Sequence, residues 1–287
     1  MTGHFTSPAA EKRYFEVYAA AMAACPEPRD TLDVETHHGT TRVYRFGDAP
    51  GLPVVLLPGL MATAACYAGT IPVLTPHHPV YAVDTLGEAG RSRHTTPFAD
   101  IPDRARGLDD VLAELGLDGV HLVGASTGGW HAVNQAIHAP GRVASISALD
   151  PTTVTAGFSR TAMAFGLAGA VFPHAWLWRR FLRWSTGDEG LHRPEVRLVL
   201  AALSEYKPRL PFQAPPAAAR ISGIACPVLA LFGARSVVQD SPRAAARLAE
   251  LLPLAEVETL PEAGHDLLGA GTRDAVLARV LAFLAKV

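Results

Sequence analysis

Short, largely apolar runs recur along this chain: Val54 to Leu57, Val80 to Val83, Val120 to Gly124, Val143 to Leu149, Val228 to Phe232 and Val257 to Leu260. Strands with one wet face alternate apolar and polar residues, whereas runs without that alternation mark strands buried on both faces. Between the runs, Ala64 to Leu74, Pro102 to Leu115, Gly128 to Ala139, Ser241 to Leu252 and Arg273 to Ala285 carry apolar residues at helical spacing. Ahead of them, Leu32 to His37 and Thr41 to Phe46 do alternate, around His38-Gly39-Thr40, and predict an antiparallel hairpin at one edge. The expected fold is α/β, a mostly parallel central sheet of about eight strands with helices on both faces.

The alternation of strand and helix stops between Asp150 and Cys226. Helical spacing is read over Thr161 to Phe172, Ala175 to Trp184 and Pro194 to Tyr206, followed by the proline-rich Pro208 to Pro216. This predicts a helical cap, residues 151–223, inserted after the sixth strand into a core made of residues 1–150 and 224–287. The segment holds Trp176, Trp178 and Trp184, three of the chain's four tryptophans. They have two readings, packing within the cap or contact with a substrate.

Composition narrows the class. At 49% hydrophobic and 18% charged the chain is globular rather than disordered. A net charge of −2 offers no basic footprint for a polyanion, so no nucleic-acid partner is expected. No run approaches the roughly 20 apolar residues of a membrane span, and no internal repeat is present. Lys12-Arg13 followed by Val17 to Cys25 is flanked by Glu11 and Glu16, with a short alanine-rich apolar part, and reads as an amphipathic helix rather than a signal peptide. Cys25, Cys66 and Cys226 are far apart and form no C-x-x-C pair; they are expected to be reduced, mostly buried residues of a cytoplasmic protein.

The strongest motif is Gly124-Ala125-Ser126-Thr127-Gly128, a G-x-S-x-G between an apolar run and a helix. Such a sharp turn strains the serine backbone, and the flanking glycines remove side chains that would collide there. The hydroxyl is then presented at the strand's C-terminal edge, above a helix N-terminus that favours developing negative charge. The other reading is a capping serine. The spacing is not the G-x-G-x-x-G of a dinucleotide loop. A serine nucleophile needs a base, and Glu262-Ala263-Gly264-His265-Asp266, after the last predicted strand, supplies His265. The other histidines include the pairs His37-His38 and His77-His78, expected to be solvated in turns. Two donors for an oxyanion are expected from the backbone amides of Leu60, in Pro58-Gly59-Leu60-Met61, and Thr127.

These motifs resemble the α/β-hydrolase fold family over almost the whole chain, and more narrowly its cap-bearing bacterial esterases, perhydrolases and ring-cleavage-product hydrolases. Asp84 to Ser92 is similar to the family's D-x-x-G-x-G-x-S loop, which implies an architectural role for Asp84 and Ser92. Two departures stand out. The turn after the third strand begins Pro58-Gly59 where the family has His-Gly. After the seventh strand the family's L-x-G-x-x-D places an aspartate that orients the histidine, and here Leu231-Phe232-Gly233-Ala234-Arg235 is followed by Ser236. Three residues compete to replace that acid: Asp150 at the end of the sixth strand, Asp240 near a helix start where Ser241 is the expected N-cap, and Ser236 itself. The resemblance implies a serine hydrolase, with Ser126, His265 and Asp150 catalytic, acting through an acyl-enzyme on an ester, thioester or lactone of a hydrophobic small molecule. No cofactor or metal is implied. The alternative is a non-hydrolytic protein of the same fold, a lyase, cyclase or ligand-binding module, resting on the missing acid at Ser236.

Overall fold

The structure, a computed structural model, describes residues 2–172 and 174–287; Met1 of the expected core and Pro173 of the expected cap lie outside the described residues. The chain opens with β1 (His4–Phe5) and α1 (Pro8–Met22), where the Ser7 hydroxyl accepts the Ala10 amide at 3.1 Å and Pro8 takes a first-turn position that needs no N–H. The hairpin β2 (Asp30–Thr36) and β3 (Gly39–Phe46) pairs antiparallel from Asp30 with Arg45 to Thr36 with Gly39. Then come β4 (Val54–Leu57), α2 (Ile71–Leu74), β5 (Val80–Val83), β6 (Arg93–His94), α3 (Ile101–Glu114), β7 (Val120–Ala125), α4 (Thr127–His138) and β8 (Val143–Leu149). The chain leaves the sheet for α5 (Arg160–Val171), α6 (Ala175–Thr186), α7 (Pro194–Glu205), β9 (Tyr206–Lys207) and α8 (Ala218–Ile221). It returns through β10 (Val228–Gly233), α9 (Ser241–Leu251), β11 (Glu256–Leu260) and α10 (Arg273–Leu284).

The main sheet has nine strands in the order β11-β10-β8-β7-β4-β5-β3-β2, with β6 added beside β3. All neighbours from β5 to β11 along that order are parallel, and β2, β3 and β6 make the antiparallel edge. Side chains alternate between faces with the two-residue period of a strand. Val55, Leu57 and Leu122 pack with Leu108 and Val111 of α3, Trp130 of α4 and Leu248 of α9, while Val54, Leu56 and Val123 pack with Ile71 of α2 and Val276, Val280 and Phe283 of α10. A third apolar cluster joins Tyr14, Tyr18 and Ala21 of α1 to Leu182 of α6 and Val196, Ala202 and Leu203 of α7, and β1 pairs with β9. The strap after β9 lies back on the core, where Gln213 donates to the Thr152 carbonyl at 3.1 Å.

Several local expectations change. The helix read over Ala64 to Leu74 is a 3₁₀ turn at Ala64–Tyr67 and the short α2, because Pro72 has no N–H to donate to residue 68 and sits instead in the first turn of a new helix. The N-cap of α9 is Asp240, which accepts the Arg243 amide at 3.1 Å, and Ser241 is the first helical residue. His38 is buried rather than solvated, its ring 4.5 Å from that of Phe98. The three cysteines are free and only partly buried. Among the described residues no helix is long and apolar enough to cross a membrane.

Two buried histidines set an acid limit on this fold. His121 of β7 bonds Ser145 Oγ at 2.8 Å, and His131 of α4 donates from Nε2 to the Arg104 carbonyl at 3.2 Å. Burial holds them neutral, lowering His121 to about 4, with His78 adding to the effect, and His131 to about 3, with the Arg104 charge adding to it. The unfolded chain takes up these protons near pH 6.5 and the folded chain does not, so stability is full above about pH 6.5 and falls as pH drops toward 4. Urea unfolding from pH 7 to pH 4 is expected to show a loss of up to roughly 1.4 kcal/mol per pH unit per imidazole, shallower by one proton in His131→Gln.

Candidate active site

The C-terminal ends of β4, β7, β8, β10 and β11 converge on one edge of the sheet, where Leu60, Ser126, Thr127, Asp150 and His265 lie. β7 turns into α4 through Ser126, whose backbone takes φ +56° and ψ −119°. A non-glycine residue in that region costs about 1–3 kcal/mol, and the surroundings hold it: the Ser126 amide donates to the Leu149 carbonyl at 2.8 Å. The flanking glycines are required by close approach. A Cβ on Gly124 would sit 2.2 Å from the Gly128 carbonyl oxygen, and one on Gly128 would sit 1.8 Å from that of Leu57. Ser126 occupies the N-cap position of α4, yet its hydroxyl caps nothing. It lies 2.9 Å from His265 Nε2 instead.

His265 follows β11 and turns its Nδ1 to Asp150 Oδ2 at 2.6 Å. With Nδ1–H donating to the carboxylate, Nε2 is the acceptor for the serine proton. Asp150 follows β8 at φ +40° and is fully buried. Three further donors share its charge: Ser236 Oγ donates to Oδ2 at 2.7 Å, Ser241 Oγ to Oδ1 at 2.7 Å and the Gly233 amide to Oδ1 at 3.2 Å. Of the three residues that compete for the place beside His265, the structure brings Asp150 there. Ser236 stands behind the carboxylate, and Asp240 is exposed at the start of α9.

The amides of Leu60 and Thr127 border the same space and have no hydrogen-bond partner among the described residues. Tyr67 fixes the two strand ends that lead to them: its buried hydroxyl donates to the Leu57 carbonyl at 2.6 Å and accepts the Ala125 amide at 3.2 Å. Asp84 and Ser92 hold the loop after β5. Asp84 accepts from the Tyr18 hydroxyl at 2.7 Å and the Arg91 amide at 2.8 Å, and the Ser92 hydroxyl donates to the Asp84 carbonyl at 2.6 Å. Sequence reasoning missed Tyr67, the Ser241 contact to Asp150, and Glu88 under the Leu60 turn. Glu88 alone left a signal, an acidic residue among apolar and glycine neighbours in a loop between two buried segments.

Above Ser126 lies a cavity of about 200 Å³ walled by Leu60, Phe158, Phe181, Leu182, Val199 and Leu268 among others. The charged residues on its wall are linked, since Arg193 pairs with Asp266 and lies 3.5 Å from Glu195, and one cation against two carboxylates leaves a net negative charge there. None of Trp176, Trp178 and Trp184 lines it. Trp184 packs instead at a tilt against Phe165 and Phe181, and Trp176 is exposed.

A strained serine between two obligatory glycines, at the edge of a parallel sheet and bonded to a histidine from the loop after the last strand, defines the α/β-hydrolase class. A model of the alpha/beta hydrolase family matches residues 54–280, and the chain belongs to that family. It is 28% identical over 284 residues to carboxylesterase YbfK of Bacillus subtilis (strain 168), a match covering 95% of this chain and 93% of that protein. The crystal structure of carboxylesterase CesB (YbfK) from Bacillus subtilis aligns with a TM-score of 0.89 at 26% identity, over 97% of this chain and 99% of that one. That of the naproxen esterase (carboxylesterase NP) from Bacillus subtilis aligns with a TM-score of 0.88 at 25% identity, over 96% and 99%.

Hydrogen bonds to a buried carboxylate are worth about 1.5–3 kcal/mol each, so Ser236→Ala and Ser241→Ala are each expected to lower the unfolding free energy by that amount in urea titrations at pH 7. Asp240→Ala, which removes only a helix cap, is expected to cost about 1 kcal/mol in the same assay.

Proposed function

We propose that the protein is a serine carboxylesterase in which Ser126 is the nucleophile, His265 the base and Asp150 the acid that orients it. The observation that carries this reading is the continuous hydrogen-bond relay at His265, 2.9 Å to Ser126 Oγ on one nitrogen and 2.6 Å to Asp150 on the other. Carboxylesterases among its relatives support the reaction class. The non-hydrolytic alternative rested on the missing acid at Ser236, and Asp150 beside His265 removes that ground.

In the proposed reaction Ser126 Oγ attacks the ester carbonyl carbon and its proton moves to His265 Nε2. The electron pair of the carbonyl collects on oxygen, which the amides of Leu60 and Thr127 stabilise. Asp150 keeps Nδ1 protonated and stabilises the imidazolium while it lasts. Collapse of the tetrahedral adduct expels the alcohol with the proton from Nε2 and leaves an acyl-Ser126. Water, deprotonated by His265, then repeats the sequence, releasing the carboxylic acid and restoring the serine.

Residues 151–223, which carry helices α5 to α7, are the proposed cap, and they set the substrate class. Phe181 and Leu182 of α6 and Val199 of α7 face the serine across the cavity, which fits an ester with a compact hydrophobic acyl group. The three free cysteines, with burial pushing Cys25 and Cys226 up to about 11, fit a reducing compartment such as the cytoplasm.

Fluorophosphonate treatment followed by intact-protein mass spectrometry is expected to add one label to the wild type and none to Ser126→Ala. Hydrolysis of p-nitrophenyl butyrate should vanish in Ser126→Ala and fall about 10⁴-fold in kcat in Asp150→Asn. Turnover that survives intact in Ser126→Ala would sink the esterase reading, and full activity in Asp150→Asn would remove Asp150 from it.

A further inference from the structure

The turn that carries the Leu60 amide bends at a residue that does not favour the bend. Met61 has φ +56°, a left-handed conformation that side chains other than glycine avoid. Two hydrogen bonds hold it there: the Ala62 amide donates to the Gly59 carbonyl at 3.0 Å, and the Met61 amide donates to Glu88 Oε2 at 2.5 Å. The Met61 N–H lies in the same rigid peptide plane as the Leu60 carbonyl. The Gly59 carbonyl held by Ala62 lies in the peptide plane of the Leu60 N–H, so the two bonds together hold both planes that meet at Leu60 and with them the direction of its amide.

Glu88 is itself anchored toward the second donor. It is 3% exposed, and its Oε1 lies 3.7 Å from Nη2 of Arg104, a residue of α3 that is 4% exposed. The Arg104 guanidinium sits over the Trp130 ring, 5.0 Å from its centroid. Trp130 belongs to the first turn of α4, the helix that opens with Thr127. The two amides that border the cavity thus lie on separate elements, and one buried carboxylate and one buried guanidinium bridge those elements. Burial pushes the Glu88 carboxyl up and the Arg104 guanidinium down, each opposed by the other's charge. A buried pair of this kind is often no more stabilising than an apolar pair of the same volume, so stability alone does not account for it.

We propose that Glu88 is a positioning residue for the oxyanion site, holding the Leu60 amide in register with the Thr127 amide through Met61 on one side and Arg104 and Trp130 on the other. This assignment rests on the esterase reading above.

The test uses p-nitrophenyl butyrate with wild type and Ser126→Ala run first. Turnover lost in Ser126→Ala upholds the reading beneath the proposal, and turnover retained there overturns both. With that control in place, Glu88→Gln keeps an acceptor for the Met61 amide and is expected to stay within about fivefold of wild-type kcat, while Glu88→Ala loses about 10²-fold in kcat with KM changed less than about threefold. Glu88→Ala leaves Arg104 buried without its partner and can fail to fold. The double variant Glu88→Ala with Arg104→Met removes both charges and is expected to regain the wild-type melting temperature while kcat stays low. Phenylboronic acid, which adds to a serine hydroxyl as a tetrahedral anion, reads the oxyanion site directly. Its inhibition constant should rise in the double variant by the same factor as kcat falls, with inhibition by butyrate unchanged. A double variant within about threefold of wild-type kcat, a glutamine variant as slow as the alanine variant, or boronate affinity that does not follow kcat would each overturn the assignment.

Discussion

The fully buried carboxylate of Asp150 has no Lys or Arg partner among the described residues and meets the imidazole of His265. A charge in that position must be met by hydrogen bonds, because desolvation without them costs more than the fold can spare. The donors come from the end of β10 at Gly233, the loop beyond it at Ser236, the first residue of α9 at Ser241 and the loop after β11 at His265. One side chain therefore draws four parts of the C-terminal half of the sheet to the end of β8. The geometry at Ser126 follows from the same alignment, since the Ser126 amide is pinned to the last carbonyl of β8 and the Asp150 amide donates to the Leu231 carbonyl of β10 at 2.7 Å.

The apolar runs were sufficient to read the parallel sheet, because strands covered on both faces leave no polar alternation to confuse with a helix. Legibility failed where a single residue overrides a pattern. Pro72 splits an otherwise helical stretch, and the two-residue strands β6 and β9 are too short to carry any periodicity. The serine and histidine were legible because glycine spacing is local. Asp150 was legible only as one of three competing candidates, because what singles it out from Asp240 is a set of partners 83 to 115 residues away. Ser236 shows the limit most plainly: a serine where the family carries its acid reads as a loss, and in the structure its hydroxyl supports the carboxylate from behind. Glu88 left only an acidic residue among apolar and glycine neighbours, because its partner at Met61 is a backbone amide, which has no signature in a sequence.

The site divides its tasks between two parts of the fold. Sheet ends supply the polar groups, each with its backbone fixed by neighbouring strands. Part of the apolar wall, Phe181, Leu182, Val196, Val199 and Leu203, comes from α6 and α7, which pack on α1 rather than on the sheet. The walls can change composition without disturbing the strand register that sets the serine beside the aspartate. The charged residues that do reach the wall, Arg193, Glu195 and Asp266, are tied to one another, which confines the charge to one part of a largely apolar cavity.

The distance along the chain between Ser126 and His265, 139 residues, also orders events in time. β7 and β8 are neighbours in sequence and can pair early, leaving a strained serine and an unmatched carboxylate side by side. Neither can settle until β10 docks with its amide and serine donors, and the imidazole arrives only when β11 has joined β10. Low-contact-order pieces of such a fold form first and the long-range closure comes last. A nascent or partly refolded chain would thus carry the strained serine before the imidazole is placed beside it, so the hydrogen-bonded geometry at this edge is complete only once the last strand of the sheet is in place.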